Sequence, residues 1–362
     1  MTTSIDARLC VWLDAHAEAL DAETADDNLL LRTLAAEDLF RIGVPENAGG
    51  AGGTTGSAIR VIAQLAEHSL SAAFVCWAQR AVIECMLESP NRTLARELLP
   101  RLMDGSLAGA PALSNGMRSL SGFDQLQLHS THVAEKTILN GAVQWATNLH
   151  APGFVIAVGA IPANGGAAVY AIPADVEGVV RKCNSDLMAL RGTSTGALRI
   201  TDVVLSDHWL VHPDAKTFLP TLRPSFLALQ CGWGLGLARA CLRSARTATS
   251  GSPSVLLPEI EQLENAAAAY WRQLSDGIDS GTLRGRPADL LRLRLEMIDL
   301  ATAAVHLELQ ALGGRAYSRT AGNGFARRWR EAAFLSIVTP SMVQLKTELA
   351  RLRGTRFLTS SP

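Results

Sequence analysis

The amino-acid sequence predicts an α+β protein in three consecutive parts: an N-terminal helical domain, a middle antiparallel β domain and a C-terminal four-helix bundle. Three observations carry this. Apolar residues recur at helical spacing from residue 5 to about 108, short alternating runs punctuated by turn residues follow, and the three-and-four spacing returns from about 219. The domains expected from these changes are 1–108, 109–215 and 216–362.

In the first part Val11, Leu13, Leu20, Leu29 to Leu31, Leu34 and Leu39 fall on helical spacings, and Ile59 to Leu65 and Ala72 to Leu87 extend the pattern. Gly43 to Thr54 interrupts it. The glycines there are compatible with a phosphate loop, but no Gly-Lys-Ser/Thr follows and no strand precedes, so the segment reads as a tight surface loop between helices. Glu84, on these helices, is assigned to a solvated face.

In the second part Thr137 to Trp145 contains Asn140-Gly141, the signature of a hairpin turn. Phe154 to Ile161 and Ala168 to Pro173 are short β-type runs, and Leu198 to Leu205 alternates. The absence of helices between these strands, and of a GxGxxG turn, excludes a Rossmann unit. In the third part Leu290, Leu293, Met297, Leu300, Ala304 and Leu307 step by three and four, as do Met342, Leu345, Leu349 and Leu352. With helices expected at roughly 221–249 and 259–280, these make the bundle.

The 362 residues are 48% hydrophobic and 19% charged with a net charge of −1, and no long segment carries one sign. Neither a nucleic-acid partner nor a membrane surface is indicated. The longest apolar runs, 153–162 and 226–240, are too short or too interrupted by Gly and Pro to span a bilayer. The N-terminus shows no basic start ahead of an apolar stretch, so a cytoplasmic location is expected. Cys10, Cys76, Cys85, Cys183, Cys231 and Cys241 lack CxxC or Cys/His spacing and read as small buried hydrophobes rather than metal ligands or a disulfide framework.

Candidate chemistry gathers in three places. From Gln310 to Gln344 one periodic helix stops at Gly313-Gly314, a basic connection follows, and a second helix starts near Ser341. Such a junction offers free backbone N–H groups to an anion. The clusters Ala112 to Gly122 and Trp145 to Asn148 sit beside expected strand ends, where hydroxyls and amides can bond a heteroaromatic edge and an indole can wall it.

In order and spacing, Gly43-Val-Pro-Glu, Ala112-Leu-Ser, Leu139-Asn-Gly with Gln144-Trp-Ala-Thr-Asn148, Leu190-Arg-Gly-Thr-Ser-Thr-Gly196 with Asp202-Val, and Leu312-Gly-Gly with Arg330-Glu-Ala resemble the acyl-CoA dehydrogenase family, over residues 30 to 355. The resemblance implies FAD held between the β domain and the bundle. It also implies a homo-oligomer, a dimer or tetramer. By the same resemblance Ser114 bonds the flavin edge, Trp145 packs on the isoalloxazine ring and Thr147 bonds near N5. Ser119 or Ser121 lies near the pyrophosphate, Ser341 joins the cofactor-binding set, and Gln310, Gly313 and Gly314 hold the adenosine half of a neighbouring subunit's FAD.

The implied reaction removes a proton α to a thioester carbonyl while a β-hydride leaves to flavin N5. Here the family's base position carries Thr339, its alternative position carries Phe226, and the substrate-gripping Arg after it is Leu227. The FAD-gripping Arg and Phe of a neighbouring subunit map near Ser252 and Val255. Glu84, His150 and Glu331 are the remaining candidates, with His150 expected on a surface loop and Glu331 in an ion pair between helices. Three readings follow. The first is an FAD-dependent desaturase of an acyl thioester on CoA or a carrier protein, passing electrons to an electron-transfer partner or oxygen. The second is a flavin monooxygenase or oxidase on the same scaffold. The third is a catalytically incomplete subunit in a hetero-oligomer with a related chain.

Overall fold

Amphipathic stripes of Leu, Ile and Ala fold the first part into α1 (Ala7–Ala22), α2 (Leu29–Ala36), α3 (Thr55–His68), α4 (Leu70–Glu88) and α5 (Arg92–Met103). The computed structural model describes residues 4–22, 28–120, 122–123, 125–150, 153–183, 186–251, 254–318 and 324–354. Helix α4 has the length and hydropathy of a membrane span, yet it is enclosed by its neighbours and serves as the core helix of this part. That enclosure corrects the reading of Glu84. Its carboxylate is buried, accepts from Arg80 at 2.6 Å, and Arg80 also donates to the carbonyls of Ile42 and Gly43. A helix buried on all sides turns its polar residues toward interior loops, and this pair pins the Gly43 loop.

The middle part contains β1 (Ala108–Ala112), α6 (Ser114–Leu120), β2 (Leu128–Val133), β3 (Lys136–Ala146), β4 (Phe154–Pro162), β5 (Ala168–Pro173), β6 (Val179–Cys183), β7 (Gly196–Ser206) and β8 (Leu210–His212). The strand order is β6-β7-β3-β2-β4-β5-β8, with β1 also on β4. Pairing is antiparallel except at β1–β4 and β2–β4, which are parallel.

Asn140-Gly141 is not the turn. Both lie inside β3 at an irregularity in its pairing with β7, and the reversal between β2 and β3 falls at Ala134-Glu135, where Ala134 has φ +55°. The Asn140 side chain donates to the Asp202 carboxylate at 2.9 Å and accepts the Asp202 N–H at 2.9 Å. A bulge satisfied across two strands replaces the local turn that the dipeptide favours. Gly141 allows it, because a Cβ there would sit 2.1 Å from the Gln127 carbonyl oxygen.

The third part holds α7 (Ala215–Ala248), α8 (Leu257–Asp279), α9 (Pro287–Leu312), α10 (Phe325–Leu335) and α11 (Met342–Leu352). Three long helices thus pack with a fourth side split into α10 and α11. Helix α7 reaches its neighbours through glycines: a Cβ on Gly236 would lie 2.0 Å from the Ala63 carbonyl oxygen of α3, and one on Gly234 would lie 2.5 Å from that of Met297 on α9. Helix α9 stops at Gly313, as expected.

The basic segment after it is helix α10 rather than a connection. Its arginines point inward to carboxylates: Arg328 to Glu308, Arg327 to Glu331 at 2.8 Å, and Arg330 to Asp21. Glu331 is therefore in an ion pair, but within its own helix, and it also accepts the Leu70 N–H at 3.0 Å. Asp21 on α1 accepts the Leu190 N–H at 2.9 Å as well as bonding Arg330, so one carboxylate ties all three parts. On the far side, Asp279 of α8 accepts from Thr54 Oγ1 and the Gly56 N–H at the start of α3, both at 2.9 Å.

Cys76, Cys85, Cys231 and Cys241 are buried. Burial pushes the Cys76 and Cys231 thiols up to about 12 and raises those of Cys85 and Cys241 as well. Because the thiolate is the reactive form, these four should resist a thiol-directed disulfide reagent in neutral buffer and react only after unfolding. A peptide map of the labelled native protein that contains any of them would contradict this.

Candidate active site

A cleft lies where the three parts meet. The first part contributes Trp77 and the middle part Pro111, Leu113, Ser114, Met117, Arg118 and Phe123. The bundle contributes Arg223, Phe226, Leu227, Gln230, Thr339, Pro340, Gln344 and Glu348. Two helical stripes face each other across it. On α7, Arg223, Phe226, Leu227 and Gln230 are three and four apart; on α11, Gln344 and Glu348 are four apart.

Two contacts join the α7 stripe to α11 and the segment just before it. Arg223 pairs with Glu348 at one end, and at the other Gln230 Nε2 donates to the Thr339 carbonyl at 3.0 Å. The apolar wall is aromatic: Trp77 stands edge-on to Phe226 and Trp233, with centroids 6.3 and 5.0 Å away, and its Nε1 donates to the Phe226 carbonyl at 3.4 Å.

Both expected base positions, Thr339 and Phe226, line this one cleft together with Ser114. Neither can take up a proton at neutral pH. The cleft nevertheless contains a carboxylate, Glu348, whose side chain is only 13% exposed. Sequence reasoning missed it because a Glu within an amphipathic helix reads locally as solvated, and only the opposing α7 encloses it. It also missed Arg223, one turn ahead of Leu227, which puts an arginine on the cleft after all. Gln344 was missed as well: its Oε1 accepts the Ser341 N–H at 2.6 Å, while its buried Nε2 finds no partner among the described residues. Ser341 is the N-cap of α11, its hydroxyl accepting the Gln344 N–H, and does not line the cleft.

Behind Gln230 lies Arg294, wholly buried and over the Trp233 ring at 5.7 Å. Its Nη1 and Nη2 have no partner among the described residues, and burial lowers its pKa to about 10.

The other expected residues are spread along the adjoining β surface and the bundle end. Trp145, at the end of β3, is 60% exposed. Thr147 follows it and is buried in a chain of hydroxyls: Thr193 donates to the Leu190 carbonyl at 2.7 Å, so it accepts from Thr195 at 2.8 Å, which in turn accepts from Thr147 at 3.0 Å. That ordering leaves the lone pairs of Thr147 for an N–H donor. Asn148 fastens this segment to β1, donating to Gly109 at 3.2 Å, and β1 leads directly into Ser114.

An uncovered indole and an accepting hydroxyl, beside the strand that feeds the cleft, fit the edge of a flat heteroaromatic ring such as flavin. The fit at the pyrophosphate end differs from expectation. The segment expected as a loop is helix α6, with Ser119 half-buried in its last turn; Ser121 lies outside the described residues. Gln310, Gly313 and Gly314 are exposed at the end of α9, away from the cleft lining. Val255 is 94% exposed, and Ser252 lies outside the described residues. His150 is not on the surface: it is buried, with Nδ1 2.9 Å from the Ser194 hydroxyl. The tight turn at 190–196 closes over it and supplies that partner.

Residues 12–106 match the family model described as acyl-CoA dehydrogenase, N-terminal domain. No curated protein matches the sequence. Among solved structures, butyryl-CoA dehydrogenase from Megasphaera elsdenii is 18% identical with a TM-score of 0.82, over 94% of each chain. FkbI, for biosynthesis of the methoxymalonyl extender unit of the polyketide Fk520, is 17% identical with a TM-score of 0.82, over 98% of this chain and all of the other. Dibenzothiophene monooxygenase TdsC from Paenibacillus sp. A11-2 is 16% identical with a TM-score of 0.77, over 98% of this chain and 97% of the other. At such identities the likeness establishes the fold. Residues 12–106 thus match the N-terminal domain of acyl-CoA dehydrogenases, and the chain as a whole has the fold of these structures.

Proposed function

We propose that the protein is an FAD-dependent oxidoreductase that desaturates an acyl thioester between its α and β carbons. The observation that carries the reading is the composition of the cleft: a hydroxyl at the end of β1, an aromatic wall and a carboxylate all converge where the middle part meets the bundle. When bound, FAD would supply the hydride acceptor. Trp145 would cover one face of its ring, and Thr147 and Ser114 would bond its edge. The apolar cleft would exclude water from the acyl chain, and Gln230 would hold the Thr339 segment against α7. Val255, Tyr317, Ile337, Val343 and Leu352 leave large apolar groups exposed on the bundle, in keeping with a homo-oligomer. An electron-transfer partner or oxygen would then reoxidise the flavin.

The test is a visible spectrum of the purified protein with FAD, followed by anaerobic titration with butyryl-, octanoyl- and glutaryl-CoA and the matching pantetheine thioesters. Bleaching of the flavin band is expected with at least one; an unchanged band with all of them would refute desaturation.

A second reading, a flavin monooxygenase, is favoured by one observation: Thr339 and Phe226, the two family base positions, carry no acid. Oxygen activation needs no proton acceptor at the α carbon. Activity only with externally supplied reduced flavin, giving a hydroxylated product, would select it. A colourless protein that fails to retain added FAD would instead point to an incomplete subunit of a hetero-oligomer.

A further inference from the structure

We propose that Gln344 and Glu348 are the substrate-activating pair of this site, Gln344 donating to the thioester carbonyl oxygen and Glu348 accepting the α proton. The proposal rests on the desaturase reading. The two residues lie four apart on α11, so their side chains project from one face about 5–6 Å apart at Cβ. Both line the cleft. In a thioester the carbonyl oxygen is two bonds, and the α hydrogen one bond, from the α carbon, so one ligand can reach a donor and an acceptor placed in this way.

Each residue is prepared by a different neighbour. The capping box consumes Oε1 of Gln344 and fixes its amide, leaving the buried Nε2 as a donor with no partner among the described residues. An unpaired buried donor is costly unless something supplies an acceptor, and the cleft it lines is where a ligand would do so. Arg223 on the opposite helix holds Glu348 through Oε2 and fixes its direction across the cleft. The opposing stripe offers no competing acid: Phe226 and Leu227 are apolar, and Gln230 is spent on Thr339.

In the step itself the α C–H bond breaks with its proton passing to the Glu348 carboxylate. The β C–H bond would break with its hydride taken up by the oxidised flavin that bound FAD would supply, and the electron pair left at the α carbon would form the C=C bond. The two electrons lost by the substrate would thus be accounted for by the hydride. Negative charge building on the carbonyl oxygen is met by the Gln344 Nε2–H, which is where a donor contributes most.

The experiment compares wild type with Glu348→Gln, Glu348→Asp and Gln344→Glu, all loaded with FAD. The last keeps a carboxyl-type acceptor at the third helical position, so the capping box survives while the donor is lost. With any thioester that bleaches wild type, Glu348→Gln should bleach at least about 100-fold more slowly, with thioester affinity by calorimetry within about threefold (0.65 kcal/mol). Glu348→Asp should fall between the two, and Gln344→Glu should slow bleaching at least about tenfold. A readout independent of hydride transfer is the enolate ultraviolet band of bound acetoacetyl-CoA, expected in wild type and lost in Glu348→Gln.

If wild type bleaches and Glu348→Gln matches it, the pair is refuted and the desaturase reading stands. If wild type bleaches with no thioester, the reading falls and the pair with it. Should Glu348→Gln fail to fold, wild-type rates in both Glu348→Asp and Gln344→Glu would overturn the pair.

Discussion

Replacing Glu308 by alanine is expected to destabilise the protein by about 3–5 kcal/mol, the range for removing one partner of a buried ion pair. Glu308 is wholly buried on α9 and bonds Arg328 of α10 through both carboxylate oxygens. For Arg328, burial acts against the charged form, and the hydrogen bonds and charge of Glu308 outweigh it, so its pKa is raised. Without Glu308 the guanidinium loses the largest of the contributions that offset its burial. Double replacement with Glu308→Leu and Arg328→Met removes both charges and should recover most of the loss, because an apolar pair of similar volume escapes the desolvation cost. Urea unfolding monitored by circular dichroism measures both. A single replacement costing under about 1 kcal/mol would show that the pair behaves like an exposed one.

Gly236→Leu should prevent α3 and α7 from packing and abolish the native state in the absence of compensating changes. Even the Cβ of alanine would enter the Ala63 carbonyl oxygen at 2.0 Å and lie 2.7 Å from the Ala66 Cβ. Backbone atoms cannot rotate aside, so Gly236→Ala already requires the helices to separate, at about 3 kcal/mol, the upper end for overpacked cores. The control is Gly285→Ala, whose nearest neighbour would be Thr282 O at 3.8 Å; this change should stay within about 0.5 kcal/mol of wild type. Soluble yield and melting temperature report both. A Gly236→Ala protein that melts with wild type would mean that α7 does not rely on this close approach.

The long helices were legible because each carries its own apolar stripe. The last helix, for instance, begins at the Ser341 cap where its pattern begins. Elements held by distant partners were not. Helix α10 carries Arg327, Arg328 and Arg330 close together, which reads locally as a basic connection; the carboxylates that pair with Arg328 and Arg330 come from 20 residues away at Glu308 and 309 away at Asp21. Asn140-Gly141 carried a strong local turn signal, and Asp202, in the neighbouring strand, overrode it.

At the site, the vacancy at Thr339 and Phe226 was visible in the sequence, and both residues do face one cleft. What replaces them was not visible. Glu348 and Gln344 gain their setting from α7, and nothing in the local sequence separates a cleft-facing pair on a short helix from a solvated one.

The carboxylate of Asp21 also bears on the order of events as the chain is made. Its partners are 169 residues downstream at Leu190 and 309 downstream at Arg330. During synthesis α1 emerges first and must wait for both, and contacts of such long sequence separation form late and slowly. The cleft too joins residues far apart in the chain, from Trp77 to Glu348. Until α11 has been made, Trp77 and its aromatic neighbours have no opposite wall. The nascent chain therefore leaves this aromatic wall uncovered until its last helix is made, and a ligand bound in the cleft would be the last element to cover it.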